Sequence, residues 1–270
     1  MTDSMSVSGA GSLAPAPSAS VSGSGSRLGS QTPRTPAARL GVAVVHDLVA
    51  AVVTGEVKAG EVLPPEGILS QNFGVSRTVI RESVKRVEEK GLLTVAQGRG
   101  TSVNPPSSWN VLDPVVLSAL VDHDDSLGVL DDIAVVRGSL EASMAAAASE
   151  RRTAQRTAEL QHAFEHMAET IDDFEAYNQA DVDFHFTVME QSGNRLAANI
   201  TRILFTRARE SSRFNRLPSP EVLRVTLDEH RAILEAIERG DAEGASQAMR
   251  EHIAEAWNRR RLPTHKREED

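Results

Sequence analysis

The sequence predicts a mainly α-helical protein, with one small β-hairpin in its N-terminal part and an all-α helical bundle in its C-terminal part. Three observations carry this prediction. Apolar residues recur at helical spacing along most of the chain beyond position 39. Two short runs typical of strands flank a Gly-Arg-Gly turn at 98–100. No convincing strand pattern follows position 113, and a length of 270 residues suits about two domains.

Composition narrows the class of protein. Apolar residues make up 40% and charged residues 25% of the chain, as in globular proteins. The longest apolar runs are far shorter than the roughly 20 residues that span a bilayer, and no secretory signal opens the chain, so we expect a cytoplasmic protein without membrane contact. The absence of cysteine excludes disulfides and thiolate chemistry. A net charge of −9 means that DNA binding would require local clustering of basic residues.

The N-terminal segment, residues 1–38, is mostly Ser, Gly, Ala and Pro, and is predicted to be a disordered tail because it has too little apolar surface to bury. Helical spacing begins after position 40. Four apolar residues predict a first helix that ends near Gly55: Val45, Leu48, Val49 and Val52.

Two further helices and a hairpin follow. Pro65 suits the first turn of the second helix, and its predicted apolar face consists of Ile68, Leu69 and Phe73. After Gly74, Ser76 is a plausible N-cap for the third helix, which Lys90-Gly91 should close. The buried face of that helix is predicted to be Ile80, Val84 and Val87. Residues 92–97 and 101–103 predict the hairpin, so residues 39–104 have the layout of a winged helix-turn-helix.

Residues 105–113, which contain two prolines, predict a linker. Beyond it, residues 114–258 predict a helical bundle, and 259–270 a frayed, flexible tail. The helical patterns cover 114–122, 126–150, 152–170, 174–192, 194–212, 219–239 and 241–260.

The third helix has a candidate DNA-binding surface. Arg77, Thr78, Arg81 and Lys85 share one arc of the helix, beside the apolar arc. Arginines in the first turns of a recognition helix can reach guanine edges or phosphates, and the hydroxyls of Ser76 and Thr78 can bind phosphates. Arg99, at the hairpin tip, could enter a minor groove. The alternative is an exposed helix with its own ion pairs, for which three glutamates are available: Glu82, Glu88 and Glu89.

The segment LPPEGILSQNFGVSRTVIRESVKRVEEKGLLTVAQGRGT resembles the winged helix-turn-helix of GntR-family bacterial transcription regulators, over about residues 40–104. The resemblance implies that Arg77 and Arg81 contact operator bases. It also implies that the wing tip, formed by Gln97, Gly98 and Arg99, contacts DNA. Gly67 stands where the family usually has arginine, which removes one expected contact.

The helical half resembles the FCD effector domain of the FadR subfamily, in segments such as VRGSLEASMAAAAS (136–149) and ADVDFHFTVMEQSGN (180–194). The resemblance implies a divalent metal held by Asp181, His185, His230 and His252. From the residues themselves, Asp181 and His185 lie at i and i+4, on one helix face. Three imidazoles and a carboxylate suit Zn²⁺ first, with Ni²⁺, Mn²⁺ or Fe²⁺ also possible.

Several other polar residues allow two interpretations. His162 and His166 also lie at i and i+4, but they match no ligand position of the resemblance. Arg137 stands where relatives place an arginine that binds the effector carboxylate, or it pairs with Glu141 four residues on. Asp183 lies about 200° around the helix from Asp181 and is not expected to be a ligand. Asn194 is expected at a helix boundary.

Together these features predict a homodimeric, metabolite-responsive transcription regulator, expected to be a repressor, that reads a palindromic operator. A small carboxylate, such as a sugar acid or another organic acid, should bind near the metal and Arg137. Two alternatives stay open. One is a metal-dependent enzyme, although no HExxH-type signature accompanies the ligands. The other is a regulator whose metal only stabilises the bundle.

Overall fold

The computed structural model describes residues 36–125, 127–211 and 218–261. The predicted N-terminal tail therefore lies largely outside the described residues, but its last three positions belong to the first helix, which begins at Pro36. Among the described residues, no helix is long and apolar enough to cross a membrane.

The N-terminal half contains three helices and a two-stranded antiparallel sheet in the predicted order. These are α1 (Pro36–Val53), α2 (Glu66–Asn72), α3 (Arg77–Glu89), β1 (Leu93–Ala96) and β2 (Gly100–Val103). The hairpin register pairs Leu93 with Val103, and Gly98 lies in the turn between the strands. One pairing is unexpected: Val62, before α2, forms a β-bridge with Ser102.

The core of this half follows the predicted pattern with one exception. The apolar faces predicted for α1 and α3 are buried together with Leu69. Ile68 was predicted to be part of the apolar face of α2, but its side chain is 48% exposed. The helix has only seven residues and buries Leu69, one position further round its surface. Pro65 occupies the N-cap position of α2 rather than its first turn.

The linker is fixed to the end of α3. A short 3-10 turn (Pro106–Ser108) precedes Trp109, whose indole nitrogen donates to the carbonyl oxygen of Asn104 over 3.1 Å. The ammonium group of Lys90 lies 2.6 Å from a carboxylate oxygen of Asp113, and this residue also caps the next helix. These contacts tie the linker to the winged half.

The C-terminal half is all-helical in its described residues, as predicted. Its helices are α4 (Pro114–Asp122), α5 (Gly128–Glu150), α6 (Ala154–Glu169), α7 (Phe174–Ser192), α8 (Arg195–Glu210), α9 (Pro220–Arg239) and α10 (Ala242–Arg261). The long helix α5 packs against α7, α8, α9 and α10. Large side chains such as Phe184, Ile233 and Met249 fill the core between these helices.

The end of α10 differs from the prediction. Residues from 259 onward were predicted to be a flexible tail, but α10 continues to Arg261, and Arg259 and Arg260 are half-buried. The remaining residues of that predicted tail, 262–270, lie outside the described part of the chain. In this last turn of α10, Arg259 and Arg261 bind carboxylates on other helices, as described below.

Candidate metal centre and DNA-binding surface

Four buried side chains from three helices converge in the helical half. Asp181 and His185 come from α7, one turn apart, while α9 contributes His230 and α10 contributes His252. One ligand atom of each residue lies within 4.8 Å of the ligand atoms of the other three. The structure thus brings together all four residues for which the sequence predicted a metal.

The converging atoms are the three imidazole Nε2 atoms and one carboxylate oxygen. The Nε2 atom of His185 lies 3.4 Å from that of His230 and 3.3 Å from that of His252. Oδ1 of Asp181 lies 3.3 Å from Nε2 of His230. Nitrogen and oxygen donors gathered this closely have the spacing of a metal-binding cluster.

The outer atom of every ligand is held by a second group. The Nδ1 atoms of His185 and His252 lie 2.7 Å from Glu141 and 2.9 Å from Glu229, respectively. The Nδ1 atom of His230 lies 2.7 Å from the carbonyl oxygen of Thr226. Arg209 holds Oδ2 of Asp181 over 3.3 Å, with the carbonyl of Asn178 as its second acceptor.

Both outer carboxylates are ionised. Burial opposes ionisation of Glu141, but Arg137 and His185 lower its pKa below the usual value. Burial likewise opposes ionisation of Glu229, yet the hydrogen bonds from His252 and Arg259 lower its pKa to about 2. An ionised carboxylate can only accept, so Nδ1 of His185 and of His252 donates, and each Nε2 keeps its lone pair for the shared point.

Three of the four converging residues, Asp181, His230 and His252, have pKa values shifted towards the forms that bind metal. Burial, reinforced by the neighbouring His252, holds the pKa of His230 well below its usual range. Burial also lowers the pKa of His252, despite its bond to Glu229. For Asp181, burial alone would raise the pKa, but its charged surroundings, which include the guanidinium of Arg209, lower it. Two neutral imidazoles and an ionised carboxylate fit a divalent cation.

A cavity that opens to solvent adjoins three of the four cluster residues, Asp181, His185 and His252. Its wall carries Arg137, Arg209 and Arg260 beside apolar side chains of α5, α8 and α10. Arg137 pairs with Glu141, from which its Nε atom lies 2.8 Å, and it also lines the cavity, where its guanidinium stacks 4.0 Å above the ring of Phe205. Guanidinium groups at such a wall suit an anionic ligand.

Sequence reasoning missed several residues of this region. The cavity arginines Arg209 and Arg260 were not singled out, nor were the outer carboxylate Glu229 and its partner Arg259. A usable signal existed for one of them, since Arg259 follows His252 by seven residues and therefore lies on the same helix face two turns on. Arg209 follows Phe205 by four residues, but nothing in the sequence distinguishes it from a surface arginine.

The other polar residues that the sequence analysis considered lie away from the four-residue cluster. His162 and His166 are exposed on α6. Asp183 accepts a hydrogen bond from Gln179 on the surface of α7, over 3.0 Å. Asn194 is the N-cap of α8 and accepts from the backbone N–H of Ala197 over 3.1 Å, as its expected boundary role requires.

The candidate DNA-binding side chains lie on the exposed side of α3. Arg77, Thr78, Arg81 and Lys85 are all exposed, whereas the predicted apolar face is buried. The hydroxyl of Ser76 caps α3 by accepting from the backbone N–H of Val79 over 3.3 Å. Ser76 therefore has a structural role whether or not it also binds a phosphate. The wing residues Gln97, Gly98 and Arg99 are exposed at the hairpin tip.

Two guanidinium groups of α3, those of Arg77 and Arg81, lie against residues of α2. Arg81 forms a two-pronged contact with Glu66, at 3.0 and 3.2 Å, and not with the glutamates of its own helix. The hydrogen bond from Arg81 lowers the pKa of Glu66. The guanidinium of Arg77 lies against Gly67, where an added Cβ would be only 3.2 Å from its terminal nitrogen. The missing side chain at position 67 leaves room for Arg77.

Comparison with known proteins identifies this architecture. Residues 40–103 match the profile of bacterial regulatory proteins of the gntR family, and residues 132–255 match the FCD domain. A putative L-lactate dehydrogenase operon regulatory protein of Escherichia coli is 31% identical over 78% of this chain and 82% of its own length. The chain belongs to the GntR family of bacterial regulatory proteins.

Further relatives agree with this assignment. The galactonate operon transcriptional repressor of Escherichia coli is 29% identical over 80% of this chain and 94% of that protein. A solved structure of Lar, which controls the expression of the Listeria monocytogenes agr system, has a similar fold, with a TM-score of 0.52. It is 19% identical and covers 86% of this chain and all of the other. A GntR-family chain with an FCD domain is a metabolite-responsive DNA-binding regulator and not an enzyme.

Proposed function

We propose that this regulator is a homodimeric repressor of the FadR subfamily, which binds a palindromic operator in the cytoplasm and releases it when a small carboxylate binds. The observation that carries the proposal is that a His₃Asp cluster and three arginines lie beside the same cavity in the helical half. A coupling of 1–3 kcal/mol between the two binding events is typical of allosteric proteins.

The ligand class follows from the cavity and from the relatives. The names of two relatives refer to galactonate and to L-lactate, which are both small hydroxy acids. Arg137 and Arg209, which face the cavity, can each donate two hydrogen bonds to a carboxylate. These observations support a sugar acid or another small organic acid as the effector.

The metal proposed for the cluster is Zn²⁺, with Ni²⁺, Mn²⁺ or Fe²⁺ as alternatives, because three imidazoles and one carboxylate suit all four ions. When bound, such an ion supplies a Lewis-acid site for an oxygen of the effector. The ligands would be Asp181, His185, His230 and His252. Their fixed outer atoms support a preformed site that needs little rearrangement to bind the ion.

For DNA, we propose that Arg77 and Arg81 read base edges and that Thr78 and the wing residue Arg99 contact phosphates or the minor groove. Ser76, Gln97 and Gly98 complete the proposed contact set. Dimerisation would place two recognition helices one helical turn of DNA apart. The large exposure of Val135 (69%) and Leu196 (73%) in the helical half supports a subunit contact, which light scattering can test directly.

The effector proposal is tested by a thermal-shift screen of sugar acids and organic acids on Zn²⁺-loaded protein. A ligand of the native state stabilises it by RT ln(1 + [L]/Kd), so a true effector raises the melting temperature in proportion to the logarithm of its concentration. We expect Arg137→Gln to remove this shift; because Arg137 also pairs with Glu141 behind His185, the Zn²⁺ affinity of the variant is measured separately and the screen is run at saturating Zn²⁺. A screen in which no acid shifts the wild-type protein would contradict the proposal.

Chelation separates the effector-binding metal from a purely structural one. If the metal binds the effector, stripping it abolishes the shift caused by the acid. If the metal only stabilises the bundle, stripping lowers the melting temperature, and the acid still binds with unchanged affinity. The burial of all four ligands is compatible with either role.

A further inference from the structure

The last turn of α10 carries three consecutive arginines, and each has a different position. Arg261 forms an ion pair with Asp131 of α5, at 2.8 Å. Arg260 lines the cavity and donates to the carbonyl of Ala256 at 3.0 Å. Arg259 contacts Glu229 and Thr226 of α9, and both of these residues contact proposed metal ligands.

Arg259 forms a bidentate ion pair with Glu229. Its two terminal nitrogens lie 2.7 Å from the two carboxylate oxygens, and one of them also lies 3.4 Å from the hydroxyl of Thr226. Both partners of the ion pair are about one-fifth exposed. A planar fork of this kind fixes the orientation of a carboxylate, which a single-point contact cannot do.

The carboxylate that Arg259 binds also holds one of the proposed metal ligands, and Thr226, whose hydroxyl Arg259 contacts, holds another through its backbone carbonyl. Glu229 accepts from Nδ1 of His252, at 2.9 Å, on the oxygen that Arg259 also binds. Thr226 accepts from Nδ1 of His230 through its carbonyl oxygen, at 2.7 Å. One guanidinium thus joins the outer partners of imidazoles on two different helices.

We propose that Arg259 is a positioning residue of the metal site, which fixes Glu229 and thereby aims the imidazole of His252 at the ion. The inference rests on the metal site of the proposed function. Loss of an outer partner typically lowers metal affinity 10–100-fold. The end of α10 is therefore a functional part of the site.

The test compares Arg259→Ala, Arg259→Lys and the matched control Arg261→Ala, all in the full-length chain. Arg261 lies in the same helical turn and also pairs with a carboxylate, but its partner Asp131 touches none of the four ligands in the contacts described. Zn²⁺ affinity is measured by competition with a chromophoric chelator. The visible spectrum of Co²⁺-loaded protein reports the coordination geometry independently of affinity.

We expect Arg259→Ala to weaken Zn²⁺ binding about 10–100-fold and to alter the Co²⁺ spectrum. Arg259→Lys, which keeps the charge but not the fork, should fall between the alanine variant and the wild type. Arg261→Ala should bind Zn²⁺ within about twofold of the wild type.

Three results would overturn the inference, and they are distinguishable. If the wild type binds no metal, the proposed metal site itself fails. If the wild type binds Zn²⁺ and Arg259→Ala binds it equally well, only the positioning role fails. If Arg259→Ala and Arg261→Ala weaken binding equally, the effect reflects general loss of the last turn of α10, and Arg259 has no specific role.

Discussion

Replacement of Gly91 by alanine tests how tightly the linker is fixed to the winged half. Gly91 follows α3 with φ of 81°, a left-handed conformation that L-residues rarely adopt. A methyl group built there would overlap the carbonyl oxygen of Ser108 and lie 3.2 Å from its carbonyl carbon. It would also lie 3.4 Å from Cα of Trp109, so all three nearest atoms belong to linker backbone. The linker backbone cannot move aside as easily as the flexible end of a side chain.

The cost of Gly91→Ala has two parts. The left-handed conformation costs alanine about 1–2 kcal/mol. Moving the linker would also strain two hydrogen bonds that tie it down, from the side chain of Asn104 to the carbonyl of Gly91 and from the N–H of Asn110 to the carbonyl of Lys90, each 2.9 Å long. At about 1 kcal/mol for each bond, the expected loss of folding free energy is roughly 3–4 kcal/mol.

Gly55→Ala is the matched control. Gly55 has φ of 74°, almost the same conformation, but no atom lies within 4 Å of an added Cβ. It should therefore lose only the conformational part, about 1–2 kcal/mol. Urea unfolding, followed by circular dichroism and tryptophan fluorescence, gives both values. Equal losses in the two variants would refute the argument that the linker backbone presses on Gly91.

Three further predictions concern the sites. His230→Ala should abolish the metal-dependent rise in melting temperature, which for the wild type at 100 times the Kd is worth about 2.7 kcal/mol, or roughly 5–10 °C; a rise that persists would place the metal elsewhere. Arg77→Ala and Arg81→Ala should each weaken operator binding in fluorescence anisotropy at matched salt, while Arg86→Ala, on the same helix, should not; equal binding by all three variants would exclude the proposed readout. Arg207 on α8 binds Asp122 and the carbonyl of Ser118 on α4; Arg207→Ala should keep operator and effector binding but reduce the effect of one on the other, and an unchanged coupling would contradict a role for this contact in the coupling.

Most helix positions were predictable because local signals mark both ends. The predicted bounds 114–122 and 174–192 are those of α4 and α7. Each of these helices begins at an aspartate N-cap, and α7 ends at Gly193 in the left-handed conformation. The bridge between Val62 and Ser102 could not be predicted, since one paired residue leaves no periodic pattern. Similarly, helical spacing could not tell that Ile68 would be exposed on a two-turn helix.

The four converging residues could be predicted in part and the groups that hold them hardly at all. The i, i+4 spacing of Asp181 and His185 is a local signal, but the family resemblance was needed to join them to histidines on two other helices. Arg81 illustrates the other limit. The sequence offered glutamates of its own helix as ion-pair partners, yet its partner Glu66 lies fifteen residues earlier, on α2. Contacts of this kind depend on how helices cross, which no periodicity records.

Helix α8 provides a physical route by which a ligand at the cavity can influence the winged half. On one side of its last turns, Arg209 binds Asp181 of the metal cluster. Two residues earlier, Arg207 binds the side chain of Asp122 and, at 3.2 Å, the carbonyl of Ser118, both on α4. Helix α4 in turn buries Val116 and Ala119 in the core of the winged half. An anion that competes with Asp181 for Arg209 would therefore act on the same turns of α8 that bind α4 through Arg207. If the anion displaces α8 at the cavity, either the contacts of Arg207 are strained or α4 moves with α8.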